Sequence, residues 1–134
     1  MKSIFFSAFF IFLFTFTLFS CNDNNDNNDN KDGFGPDLIG LSNKSVNFTN
    51  EKNSAIVKTK GDWWWFATIS YSGIIIPIGG KKDIIQEDWF SVEKKDKNTI
   101  LISVEKNNTG NKRNVQITLE AGNYFDYIMV TQNK

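Results

Sequence analysis

Lys112-Arg113-Asn114-Val115-Gln116-Ile117-Thr118-Leu119-Glu120 is the stretch on which the fold is decided. Arg113, Val115, Ile117 and Leu119 alternate with Asn114, Gln116, Thr118 and Glu120. A period of two puts three apolar side chains on one face of an extended strand and polar ones on the other. Thr99 to Glu105 repeats the pattern, with Ile100, Ile102 and Val104 on the buried side. Between these runs lies Asn107-Asn108-Thr109-Gly110-Asn111, whose residues tolerate positive φ or bond their own backbone. Ala121-Gly122-Asn123 is a second tight turn, so Lys112–Glu120 and Tyr124–Gln132 are expected to form a hairpin.

Working outward, Ser45–Thr49 and Ser54–Lys60 read as short strands around the polar turn Asn50-Glu51-Lys52-Asn53, and Trp63–Ser70 and Asp88–Glu93 add two more. A short helical turn is expected near Asp83–Glu87, and no stretch carries a sustained 3.6-residue period. About seven short strands separated by turn signals predict an all-β, immunoglobulin-like antiparallel sandwich over residues 38–134. Pro77 lacks a backbone donor, so Ile74-Ile75-Ile76-Pro77-Ile78 is expected as an edge strand or loop packed on the sandwich.

The N-terminal part reads differently. Of 13 Phe in the chain, eight lie within the first 20 residues: Phe5, Phe6, Phe9, Phe10, Phe12, Phe14, Phe16 and Phe19. Lys2 precedes an apolar run from Ile4 to Phe19, which is too short for the roughly 20 residues of a membrane-spanning helix. A charged start, a short apolar stretch and a small residue before the cut describe a secretory signal over residues 1–20. The single Cys of the chain, Cys21, closes the run and resembles the modified Cys of a bacterial lipobox, which implies an acylated N-terminus anchored in the membrane. Phe19 is bulkier than that motif usually carries.

Asn22 to Asp32 contains six Asn, four Asp and one Lys, and nothing apolar that could offset chain entropy. Residues 21–37 are therefore read as a lipidated, disordered tether, about 50 Å when fully stretched and about 20–25 Å as a relaxed coil. Its acidic residues close to Cys21 resemble the export signals of surface lipoproteins in Bacteroidetes. The expected location is the bacterial outer membrane, at the cell surface or on the periplasmic face. The same Asn/Asp run lacks the Gly and terminal Glu of an EF-hand, so no calcium is expected.

Composition narrows the function. The chain has no His and one Cys, which excludes His-dependent catalysis, most transition-metal sites and a disulfide framework. No Ser sits in a nucleophile-elbow context and no phosphate-binding Gly loop is present. A carboxylate pair such as Glu93 with Asp126 is conceivable, but isolated surface carboxylates are far commoner than catalytic pairs. The chain is read as non-catalytic, without cofactor or metal. From Asp37 onward, 13 Lys plus Arg face 11 Asp plus Glu, a near-neutral and interspersed balance that argues against a nucleic-acid partner.

The strand order now supports a resemblance. Asp88-Trp89-Phe90-Ser91-Val92-Glu93, then Thr99 to Val104, Asn107-Asn108-Thr109-Gly110, Arg113, Val115 to Leu119, and Ile128-Met129-Val130-Thr131-Gln132 resemble the BACON family, the Bacteroidetes-associated carbohydrate-binding, often N-terminal domains. Gly61-Asp62-Trp63 is similar to that family's earlier Trp-bearing strand, whereas Tyr71–Glu87 is longer and more apolar than its usual connection. The resemblance implies an immunoglobulin-like sandwich in a secreted or surface protein and, at family level, glycan or mucin binding. Arg113 is expected to lie along the sandwich edge and bond carbonyls or a carboxylate, and Gln132 to close the last strand on main chain.

A ligand platform is sought among the clustered aromatics. Trp63, Trp65, Ala67 and Ile69 make the more apolar of the two alternating sets and are expected inward, which leaves Trp64, Phe66, Thr68 and Ser70 outward. On the last strand, Tyr124, Ile128 and Val130 inward leave Phe125, Tyr127 and Met129 outward. The expected glycan platform is Trp64, Phe66, Phe125 and Tyr127, with Asp126 and nearby Asn for the hydroxyls. The competing expectation is that Ile74–Ile78 covers these rings as a second small core. At the level of the whole protein, the alternative is a structural or protein-interaction lipoprotein accessory to an outer-membrane assembly.

Overall fold

The computed structural model describes residues 36–134. The expected signal segment, the acylated Cys21 and nearly all of the tether lie outside the described residues. Among the described residues there are nine strands and no helix: β1 (Ser45–Phe48), β2 (Asn53–Lys58), β3 (Trp65–Tyr71), β4 (Ile74–Pro77), β5 (Ile84–Gln86), β6 (Phe90–Asp96), β7 (Thr99–Val104), β8 (Arg113–Ala121) and β9 (Tyr124–Gln132). They form a five-stranded sheet in the order β1-β9-β8-β3-β4 and a four-stranded sheet in the order β2-β7-β6-β5. Every pairing is antiparallel except β1 with β9, which is parallel. The two-layer all-β architecture agrees with the sequence reading.

The two extra strands come from residues 71–87. Pro77 ends β4, an edge strand paired to β3 through Ile76↔Ile69 and Ile75↔Ser70. An edge position suits a residue with no N–H to donate. The helical turn expected near Asp83–Glu87 is instead β5, a three-residue edge strand paired to β6. Ile85 is buried there while Ile84 points to solvent, so two consecutive Ile divide between core and surface in strand fashion.

The core is the inward half of each alternation. Val115, Ile117 and Leu119 of β8 and Ile128 and Val130 of β9 face Ile100, Ile102, Val104, Phe90 and Val92 of the opposite sheet, all nearly inaccessible. Burying side chains of this kind contributes roughly 1.5–3 kcal/mol each. Entry into the fold is fixed by Asp37, whose carboxylate accepts the N–H groups of Ile39 (3.1 Å) and Gly40 (2.7 Å) and so seats Ile39 in the core.

One irregularity matters more than the rest. The β3/β8 register runs Trp65↔Glu120, Phe66↔Leu119, then Thr68↔Thr118, so Ala67 is an extra residue on β3. The bulge reverses the inward parity along the strand. Beyond it Ile69 is inward; before it Phe66 and Trp64 are inward, both almost wholly buried. The Trp64 indole N–H donates to the Lys97 carbonyl (2.9 Å) and shares Thr59 Oγ1 (3.1 Å), while the Lys94 ammonium lies 4.0 Å from the indole centroid. Burial lowers the pKa of Lys94, with Asp83 and Asp62 opposing that shift.

Two stability tests follow from these placements. Trp64→Phe removes the N–H shared by the Lys97 carbonyl and the buried Thr59 hydroxyl and leaves a void, so it should cost about 2–3 kcal/mol in urea unfolding. Trp63→Phe, at an exposed site, should change stability by less than about 0.5 kcal/mol. Equal effects would contradict the bulge-set parity. Burial alone would raise the pKa of Asp37, but the N–H of Gly40, the Tyr124 hydroxyl, the N–H of Ile39 and the charge of Lys44 together lower it. A folded-state pKa below the unfolded one contributes stability above the unfolded value that is lost as pH falls through the folded value. Acid unfolding should therefore be less steep between about pH 5 and 2 in Asp37→Asn than in the wild type.

Candidate functional site: the outer face of the five-stranded sheet

Trp64 and Phe66, expected on the outside, are core residues at 2% and 1% exposure. The bulge at Ala67 is the reason, and it brings Trp63 and Trp65 out in their place. Asp126 is also not a surface ligand. It shares the inward parity of Ile128 and Val130, is buried, and forms an ion pair with Lys44 at 2.9 Å while accepting the Tyr127 N–H. Phe125 and Tyr127 are outward as expected, at 57% and 50% exposure. Ile74–Ile78 does not cover them, because β4 lies in the sheet beside β3, with β3 and β8 between it and β9. The carboxylates Glu93 and Asp126 belong to opposite sheets, and Glu93 pairs with Lys95 on the outer side of the four-stranded one.

The outward rings form a row across one end of the sheet. Phe125 of β9 pairs with Glu120 of β8, and Glu120 pairs with Trp65 of β3. Two strand spacings separate Phe125 from Trp65, about 10 Å. The Trp65 indole N–H donates to Glu120 Oε2 at 3.0 Å, which fixes its ring against the middle strand. Trp63, 67% exposed, packs edge-on to Trp65 with centroids 5.5 Å apart and planes at 79°. The next row is Tyr127, Thr118, Thr68 and Pro77, and the one after is Met129, Gln116, Ser70 and Ile75. Flat rings therefore sit beside hydroxyl and amide groups on one face of the sheet.

Two glycines hold the Trp pair in place. After β4 the chain turns through Gly79 and Gly80, both with positive φ, and the N–H groups of Ile78 and Gly79 reach the Ala67 carbonyl at 2.8 and 3.1 Å. The bulged residue thus keeps a hydrogen-bonded carbonyl, and Gly80 comes against Trp65 so closely that a Cβ there would lie 3.1 Å from Cδ1. Trp63 rests beside Gly122 of the β8–β9 turn, where a Cβ would be 3.4 Å from the ring.

The opposite end of the sandwich holds the residues that carried the family resemblance. Gln132 is inaccessible; its amide donates to the Glu105 carbonyl at 2.9 Å and its oxygen accepts Arg113 Nε at 2.9 Å. Arg113 also donates to the Glu105 carbonyl (2.8 Å) and stacks 4.4 Å from the Trp89 ring centre. Asn107 bridges the carbonyls of Asn111 and Asn133 and accepts from Thr109. Gly110 supplies the positive φ of that turn, whereas Asn107 acts through its side chain. These groups bond to one another and to main chain, so the cluster closes the fold. Among the described residues no group of three or more His, Cys, Asp or Glu could hold a metal ion.

Residues 74–133, which span β4 to β9 and include this polar cluster, match the profile of BACON, described as "Putative binding domain, N-terminal". The match covers 60 of the 134 residues, and over that stretch the chain is similar to the family. Among solved structures, the chain is similar to a protein from Bacteroides thetaiotaomicron determined by NMR, at 21% identity and a TM-score of 0.63, covering 76% of this chain and 92% of that one. That likeness shows a shared fold. It is also similar to a Bacteroides ovatus GH5 xyloglucanase solved with a XXXG heptasaccharide, at 19% identity and a TM-score of 0.48, over 70% of this chain and 19% of that one. Titin domain M7 superposes with a TM-score of 0.44 at 12% identity, over 74% of this chain and 97% of that one. The two lower scores carry no weight. No curated protein matches this chain.

Gly80→Ala tests how Trp65 is held. The added methyl meets Trp65 Cδ1 and adopts a strained φ, so the Trp emission should shift and stability should fall by about 1–2 kcal/mol. Gly73→Ala, which has positive φ and open space, should cost stability without moving the emission.

Proposed function

We propose that this chain is a non-catalytic glycan-binding module, tethered to the bacterial outer membrane through an acylated Cys21, and that it binds through the outer face of its five-stranded sheet. The observation that carries the reading is the exposed set Trp63, Phe125 and Tyr127 around the Trp65–Glu120 pair. Sugar rings present C–H faces that stack on aromatic rings, and their hydroxyls seek amide, hydroxyl and carboxylate partners. Thr118, Thr68 and Gln116 lie in the rows beside the rings. The match of residues 74–133 to a family described as "Putative binding domain, N-terminal" points the same way. The tether would let the sandwich stand clear of lipid headgroups.

A second reading has its own observation. β4 and β5 are the last strands of their sheets, and they expose Ile75 at 68%, Ile74 at 52% and Ile84 at 59%. An apolar, uncapped strand edge is a template for pairing with another chain. This favours a protein-interaction role in an outer-membrane assembly, either beside glycan binding or in its place.

Among the described residues the nine strands and the core cluster lie between residues 39 and 132, so a chain of residues 36–134 carries all of them. Titrating that chain with glycans while following Trp emission should give a saturable shift. Trp63→Ala and Tyr127→Ala should each weaken binding by about 1–2 kcal/mol, roughly 5- to 30-fold, with unfolding unchanged. Binding that survives both substitutions would sink the platform. For the anchor, full-length protein should enter the detergent phase on Triton X-114 partition, and Cys21→Ser should shift it to the aqueous phase. The edge reading predicts concentration-dependent association or capture of one outer-membrane complex, lost in Ile75→Lys; a monomer with no captured complex speaks for the glycan reading alone.

A further inference from the structure

We infer that the outer face of the five-stranded sheet takes uncharged glycan chains and discriminates against chains bearing carboxylates or sulfates; this rests on the reading that the face binds glycan. The basis is the distribution of charge over the two sheets. The outward positions of β8 are Asn114, Gln116, Thr118 and Glu120. Every other outward position on the five strands is uncharged. Glu120 is thus the only charged side chain facing outward from this sheet, in a chain of which 22% is charged. The outer side of the four-stranded sheet, by contrast, carries Lys58, Glu93 and Lys95.

An anion leaving water for a protein surface needs a charged donor in exchange, typically Arg or Lys. The aromatic row offers none. Lys44, at the start of β1, is already paired with the buried Asp126. Lys81 and Lys82 belong to the loop after Gly80 and are followed by Asp83. The one charge on the face is a carboxylate with one oxygen accepting the Trp65 N–H, leaving Oε1 to accept a sugar hydroxyl. Toward an anionic chain the same group is repulsive, within the roughly 10 Å reach of charge in dilute salt. Hydroxyls make the opposite case: they can donate to Glu120 and exchange bonds with Thr118 and Gln116 without an uncompensated charge.

The test titrates residues 36–134 with laminarin, mannan and arabinoxylan as uncharged probes, and with polygalacturonate, hyaluronate and heparin as anionic ones, at about 20 and 200 mM NaCl. At least one uncharged chain should bind, with an affinity that changes less than twofold with salt. The anionic chains should bind three- to tenfold more weakly at low salt, and the gap should shrink at high salt. Glu120→Gln keeps an acceptor for Trp65 but removes the charge, so the ratio of uncharged to anionic affinity at low salt should fall to below about twofold; an unchanged ratio would overturn the inference. Anionic chains that bind as tightly or more tightly, through a site lost in Trp63→Ala, would overturn the discrimination and leave the glycan reading standing. If that binding is instead lost in a Lys81→Ala/Lys82→Ala variant, the loop lysines are the recognition element and the inference fails. Absence of binding to every probe, or binding indifferent to Trp63→Ala and Tyr127→Ala, overturns the glycan reading and the inference together.

Discussion

A single extra residue in β3 governs how this domain presents itself. At Ala67 the strand takes one more residue than β8, and the parity of inward side chains reverses. Without that reversal Trp63 and Trp65 would enter the core and Trp64 and Phe66 would face solvent. With it, Trp64 plugs one end of the sandwich, its indole N–H satisfied by the Lys97 carbonyl and Thr59 and its face covered by the Lys94 ammonium. The bulge is itself held. The Ala67 carbonyl accepts the N–H groups of Ile78 and Gly79, and that turn delivers Gly80 against the Trp65 ring. Core, bulge, turn and exposed indole are therefore one mechanical unit, and a change at any of them is felt at the surface.

The sandwich separates its two tasks by position. One end is closed by Gln132, Arg113 and Asn107, whose polar atoms bond to main chain and to each other. These residues carried the resemblance read from the sequence, and their chemistry is structural. The aromatic row lies at the far end of β8 and β9, beside the β8–β9 turn, where Glu120 and Phe125 pair. The aromatic row is thus separate from the closing cluster, and a fold closed in this way does not by itself specify a ligand.

Most of the fold was legible because it rests on alternation. Val115, Ile117 and Leu119 announce a half-buried strand, and the Asn/Gly-rich segments after Val104 and Ala121 announce its turns. The short edge strands β4 and β5 were less legible. Two or three apolar residues in a row do not distinguish a strand from a helical turn, and only pairing to β3 and β6 settles it. The candidate site was half legible. Phe125 and Tyr127 follow the parity of a long, regular strand. The tryptophans did not, because alternation carried backward from Ile69 crosses the bulge, and Trp-Trp-Trp-Phe is apolar on both faces and offers no correction. Asp126 was a different error: its own strand puts it inward with Ile128, and its burial depends on Lys44, a residue far off in sequence.

The exposed rings have no stability rationale, and that is the strongest physical reason to regard the face as a site. Trp63 keeps two thirds of its surface in water, as Phe125 and Tyr127 keep half or more. Burial at roughly 25 cal/mol per Å² gives them little to contribute to folding. Trp64 and Phe66 show what the same sequence does with rings that serve the core: it excludes them from solvent and satisfies the Trp64 N–H inside. Trp65 is treated differently, since its N–H is tied to an outward carboxylate and its ring is braced by a close glycine. Fixing an exposed side chain costs rotamer entropy that folding does not return, but it lowers the entropy cost of a later contact. A rigid, mostly uncharged aromatic surface is therefore better suited to receiving a ligand than to stabilising the chain that carries it.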